Sequence, residues 1–208
     1  MRRIASALIL AFVALTLAAQ EESSRFKVNI QGDRPTISDL VWALISAKDE
    51  AGDPVIDGEV TGAIYEAWKR NRDGIPQLEG ETLTIDQKNG FVLYEHQMDE
   101  DLVRAELCYW NESDGRHKLV GYSISGFRDG QYSAGQYDGL TFFRYDTVKK
   151  TMDGWWQDTG FDVEYMTDDG AFVSYALPRT GKDIVVTTWY PDGPKQKTLK
   201  WDGRRFSF

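Results

Sequence analysis

LVRAELCYWNESDGRHKLVGYSI, residues 102–124, decides the fold. Val103, Ala105, Leu107 and Tyr109 occupy alternate positions and Arg104 and Glu106 fall between them, a period of two that predicts an antiparallel strand with one wet face. Ser113-Asp114-Gly115 then supplies a tight reversal, and KLVGYSI resumes the strand pattern. Working outward, the same alternation recurs in LTIDQ, FVLYEHQM, LTFFRYD, FDVEYMT, AFVSYAL, DIVVTTWY, QKTLKW and RRFSF. Asp-Gly dipeptides at Asp57, Asp73, Asp114, Asp129, Asp138, Asp153, Asp169, Asp192 and Asp202 punctuate the chain, as suits a meander of hairpins.

The N-terminal third has a different period. Phe26, Val28 and Ile30 alternate as a short strand able to join the main sheet. Thr36 stands as an N-cap with Asp39 three residues on, and Ile37, Leu40, Val41 and Leu44 follow at helical spacing, predicting a helix over 37–50. Gly52, Pro54 and Asp57-Gly58 interrupt it. Val60, Ile64 and Trp68 then mark a second amphipathic helix over 59–72, with Lys69, Arg70 and Arg72 in its last turn. The fold class expected is α+β: two N-terminal helices packed on a large curved antiparallel β-meander over 82–208, or on two packed antiparallel sheets.

MRRIASALILAFVALTLAAQ, residues 1–20, has Arg2 and Arg3 ahead of a short apolar run, the pattern of a secretory signal peptide. The expectation is a single mature domain over 21–208, exported to a periplasmic or extracellular space and not inserted in the membrane after cleavage. The formal charge of the 208-residue chain is −9, and loss of Arg2 and Arg3 makes it more negative still. Such a surface disfavours nucleic acid as a partner. Cys108 is the single cysteine and excludes an intramolecular disulfide, so the fold must rest on its apolar core; its own place is that of a small, partly buried hydrophobe.

His96 and His117, the only histidines, belong to no ligand-spaced cluster, so no metal site is expected. Gly121-Tyr122-Ser123-Ile124-Ser125 approaches a nucleophile elbow but ends in Ser and lies inside a strand. No glycine loop opens a helix to cradle phosphate, and no cofactor is implied. Asp158, Asp162, Glu164, Asp168 and Asp169 cluster beside Trp155 and Trp156, a combination that would suit a carbohydrate-active enzyme if two carboxylates flanked a sugar. The segment from Gly126 to Gly139 repeats Gly-Gln-Tyr and is longer than a hairpin requires, so Gln131, Tyr132, Gln136 and Tyr137 join Trp155 and Trp156 as candidate ligand-binding residues. The sequence therefore predicts an exported non-catalytic binding protein for a glycan or a protein partner, with no catalytic residue assigned. An extracellular carbohydrate-active enzyme using the acids of 158–169, and an inhibitor or structural partner of another exported protein, are the alternatives.

Overall fold

The computed structural model describes residues 25–32, 34–48, 51–56, 58–135, 138–154 and 156–208; the predicted signal segment, Gln136, Tyr137 and Trp155 lie outside them. Two helices and twelve strands follow in the order β1 (Arg25–Lys27), α1 (Ile37–Ile45), α2 (Glu59–Arg72), β2 (Glu81–Asp86), β3 (Phe91–Met98), β4 (Asp101–Asn111), β5 (His117–Arg128), β6 (Gln131–Tyr132), β7 (Gly139–Asp146), β8 (Thr151–Asp153), β9 (Phe172–Ala176), β10 (Ile184–Tyr190), β11 (Gly193–Trp201) and β12 (Phe206–Ser207). The strands form two antiparallel sheets. The first has the order β1-β8-β7-β5-β4-β3-β2, with β6 also paired to β5, and the second has the order β12-β11-β10-β9. No helix among the described residues is long and apolar enough to cross a membrane.

The period-two pattern of β4 and β5 places each sheet face against a different partner. Val92, Tyr94, Ala105, Leu107, Val120, Tyr122, Phe143 and Tyr145 meet Leu40, Val41, Leu44, Ile64 and Trp68 of the helices. Cys108, Trp110, Leu119, Leu140 and Phe142 face the other way and meet Val173, Tyr175, Ile184, Val186, Leu199 and Trp201 of the second sheet. The layers are thus helices, first sheet, second sheet. This corrects the expectation of a wet face on β4: Cys108 and Trp110 share that face with Glu106 and are buried, and the Glu106 carboxylate accepts the Leu177 N–H at 2.7 Å. Burial pushes the Glu106 carboxyl and the Cys108 thiol above their ordinary values.

α1 starts where its sequence requires. Thr36 and Asp39 form a reciprocal capping box. It ends at Ile45, earlier than the predicted 50: Ser46 is the C-cap, its hydroxyl competing for the Trp42 carbonyl, and Lys48 then pairs with Pro54 in an antiparallel bridge. α2 spans the predicted residues and carries Arg70 to Glu81 at the head of β2.

The free edge of β9 is closed by one backbone contact and two side chains instead of by a strand ladder. The Val173 N–H reaches the Tyr165 carbonyl at 2.9 Å, Ser123 Oγ donates to the Tyr175 carbonyl at 2.7 Å, and Glu106 takes the Leu177 N–H. Ser123 and Glu106 both project from the first sheet, so the two sheets are joined by polar contacts as well as by their shared core.

Candidate functional site

Residues 161–167, FDVEYMT, alternate as a strand should, yet they form no ladder; an isolated bridge between Met166 and Phe172 is their β pairing. The backbone is held by a side chain. The buried Tyr175 hydroxyl accepts the Glu164 N–H and donates to the Glu164 carbonyl, both at 2.9 Å, and burial, the largest influence, pushes its pKa up to about 12. One residue on, Tyr165 has its carbonyl fixed by Val173 and its ring laid against Gly139, where an added Cβ would stand 2.5 Å from Tyr165 Cε1. The residue is nevertheless 62% exposed. An aromatic side chain on clamped backbone and facing solvent is the arrangement that recognition sites use, because little conformational freedom is left to lose on binding.

Tyr165 forms a wall shared by two depressions. One, of about 320 Å³, is lined by Trp156, Phe161 and Tyr165 together with Gln157, Thr159 and Asp162. The other, of about 180 Å³, lies on the helix side beside Thr61, Tyr122 and Asp138. Both border Thr141 near the start of β7. Trp156 is held by its backbone N–H, which donates to the Phe142 carbonyl at 2.8 Å, and its ring by the Arg144 guanidinium, 4.7 Å from the centroid. Aromatic rings with an amide, hydroxyls and one carboxylate around them can hold a small polyhydroxylated molecule by apolar contact and hydrogen bonds.

The segment from Gly126 to Gly139 is shorter as a loop than its sequence implies. Asp129 and Gly130 both take positive φ, 51° and 73°, and fold β6 back on β5 with Tyr132 opposite Phe127. β6 and β7 flank the same side of β5, and Asp138 fills the gap between them: its carboxylate accepts the Gly126 N–H at 3.1 Å while the Gly126 carbonyl takes the Ser133 N–H. Tyr132 stacks on Trp189 of the second sheet, centroids 5.0 Å apart and planes 9° from parallel, and its hydroxyl bonds to Asp138. Gln131 is exposed beside it. Tyr132 is thus an inter-sheet contact. Tyr132→Ala is expected to cost about 2 kcal/mol of stability through lost burial and stacking, read as a lower urea midpoint at unchanged slope.

The predicted acids have different surroundings. Asp158 pairs with Arg205 at 2.6 Å, Asp169 accepts from Thr167, and Asp162 faces the aromatic depression. Of the candidate binding residues within the described set, Trp156 lines that depression, and Gln131 and Tyr132 lie on β6. Sequence reasoning missed Phe161 and Tyr165 as site residues, although aromatic residues alternating with acids in FDVEYMT carried the signal.

At the opposite end of β5, Glu112, Asp114 and His117 each bring one potential ligand atom to within 4.8 Å of the others. They are already engaged. Arg144 donates to both Glu112 oxygens at 2.7 and 2.6 Å and stands 3.6 Å from Asp114, while His117 Nδ1 bonds to Asp114. Burial alone would raise the Asp114 carboxyl, but His117 and the N–H groups of His117 and Arg116 outweigh it and hold it at about 2. A cation could bind there only by displacing Arg144 from Glu112, so the cluster serves as an ion-pair clip between the β4–β5 turn and β7.

Compared with protein-family models, with curated proteins and with solved structures, the chain matches none.

Proposed function

We propose that the protein is an exported, non-catalytic binding protein that holds a glycan in the aromatic depression of Trp156, Phe161 and Tyr165. The observation that carries this reading is Tyr165 itself: an exposed aromatic residue on backbone clamped by Tyr175 and Val173, beside ring-sized space with amide, hydroxyl and carboxylate partners. A volume of about 320 Å³ accommodates a small ligand. Binding is favoured over hydrolysis because a single carboxylate of the 158–169 stretch lines the depression. Asp162 faces the depression, whereas Asp158 and Asp169 are tied to Arg205 and Thr167. Export rests on the charged-then-apolar opening of the sequence.

A protein partner is the second reading, favoured by Met166 and Phe172. They pair across the isolated bridge and are 54% and 46% exposed, extending an apolar shelf beside Tyr165. An inhibitor or structural partner of another exported protein would use the same shelf.

A glycan array probed with the full chain, followed by titration of the captured glycan, tests the assignment. Tyr165→Ala and Trp156→Ala are each expected to weaken capture by about 2 kcal/mol, roughly 30-fold, with Tyr165→Ala leaving the unfolding midpoint in place. Glycan capture unchanged in both variants would sink the reading. Capture of a protein lost in Met166→Ser and Phe172→Ser, with no glycan bound, would establish the second.

A further inference from the structure

A separate cleft of about 620 Å³ opens where the segment before α1 crosses the β4–β5 turn. Arg34 and Thr36 contribute from that segment, Tyr109 and Asn111 from the end of β4, and Arg116 and Lys118 from the β5 side. The acids around it each have a hydrogen-bond partner other than the cleft's two remaining cations. Glu112 is held by Arg144, Asp146 by Arg116, Asp114 by His117, and Asp39 accepts the Thr36 N–H and hydroxyl.

Among the described residues, two lining cations have no carboxylate partner. Lys118 Nζ donates to the Asn111 amide oxygen and rests 4.3 Å from the Tyr109 ring centroid, both uncharged partners. Arg34 forms no ion pair with a carboxylate among the described residues. A chain with a formal charge of −9 has acids to spare, so two lining cations without one mark a position where negative charge is wanted from outside. Asn111, its carbonyl oxygen already taken by Lys118, keeps its amide N–H groups for an acceptor.

We infer that this cleft binds a doubly charged tetrahedral oxyanion, a phosphate or sulfate group, between Arg34 and Lys118 and beside the Asn111 amide. Two monocations with amide and hydroxyl donors match the charge and the several acceptor oxygens of such a group better than those of a single carboxylate. Burial lowers the Lys118 amine from its ordinary value, and a bound anion reverses that shift.

The test uses the full mature chain in backbone-amide NMR titrations at constant ionic strength. The probes are inorganic phosphate, sulfate, glycerol 3-phosphate and acetate, with chloride as the balance. Saturable shifts at Tyr109, Asn111 and Lys118 are expected with phosphate and sulfate, and weaker ones with acetate. Saturation by glycerol 3-phosphate as well identifies the ligand as a phosphate group carried on a larger molecule; its failure where phosphate saturates identifies the free ion. Lys118→Met and Arg34→Gln should each weaken phosphate binding by about tenfold, Lys118→Arg should restore most of it, and the distant Lys195→Gln should leave it unchanged. Linear shifts indistinguishable from those of chloride overturn the proposal, as does wild-type affinity in the double variant when its amide spectrum remains folded.

Discussion

Trp110→Ala is expected to cost about 4 kcal/mol and to loosen the second sheet from the first. Its side chain is 4% exposed and sits among Phe142, Trp201 and Phe206, the last meeting it edge-on at 5.1 Å. The indole N–H donates to the Lys182 carbonyl at 2.7 Å. Gly121 on the neighbouring strand leaves room for the ring, since an added Cβ would come within 2.9 Å of Trp110 Cζ3. Truncation therefore leaves a large void and a carbonyl without its donor. Trp110→Phe keeps part of the packing and should lose less, mainly through the missing N–H. Urea denaturation of the three proteins checks the order, and equal stability of Trp110→Ala and wild type would refute this account of the interface between the sheets.

The second large effect belongs to Glu81, whose side chain is 2% exposed. Its carboxylate accepts from Arg70, from the Leu78 N–H at 3.1 Å and from the Tyr94 hydroxyl at 3.1 Å, tying α2 to β2 and β3. Glu81→Ala leaves the Arg70 guanidinium, itself only 18% exposed, without its counter-charge and is expected to cost about 3–5 kcal/mol. Burial pushes the Glu81 carboxyl up, but the Leu78 N–H, Arg70 and Tyr94 outweigh it and hold the pKa below its ordinary 4.5. With the folded value depressed, the stabilisation is complete above the unfolded pKa and is lost as the pH falls through the folded one. Stability should thus decline from about pH 5 downward, and the decline should be shallower in Glu81→Ala. Asp86, held at about 2 by Asn89 and Arg179, and Asp114, also at about 2, extend the same loss to lower pH in both proteins. A steeper acid transition in the variant would contradict the assignment.

The alternation in 102–124 made β4 and β5 legible, and Thr36 with Asp39 marked the start of α1, because strand period and helix capping are local properties. FDVEYMT has the same alternation without forming a strand. Whether a period-two segment finds a ladder depends on a distant neighbour, and here Tyr175 takes both backbone groups of Glu164 instead. The chain likewise gave no sign that Tyr132 would meet Trp189, 57 residues on, or that Asp138 would stand in for a missing strand beside Gly126. At the candidate site, the stretch around Trp156 and Asp162 was visible from its composition. The emphasis among its residues was not, because the clamping of Tyr165 and the pairing of Asp158 with Arg205 are tertiary facts.

The closure of β9 by Ser123, Glu106 and Tyr165 gives the chain an order of assembly. Hairpins within the second sheet can form from local contacts, but the outward groups of Tyr175 and Leu177 have no partners until the first sheet arrives with Ser123 and Glu106. In any state where the second sheet has formed and the layers are apart, β9 is a sticky template, ready to recruit a strand from another molecule. Docking of the layers is therefore also the step that quenches self-association. Glu106, kept in that seam despite the cost of its burial, leaves the Leu177 N–H with no free valence for another strand.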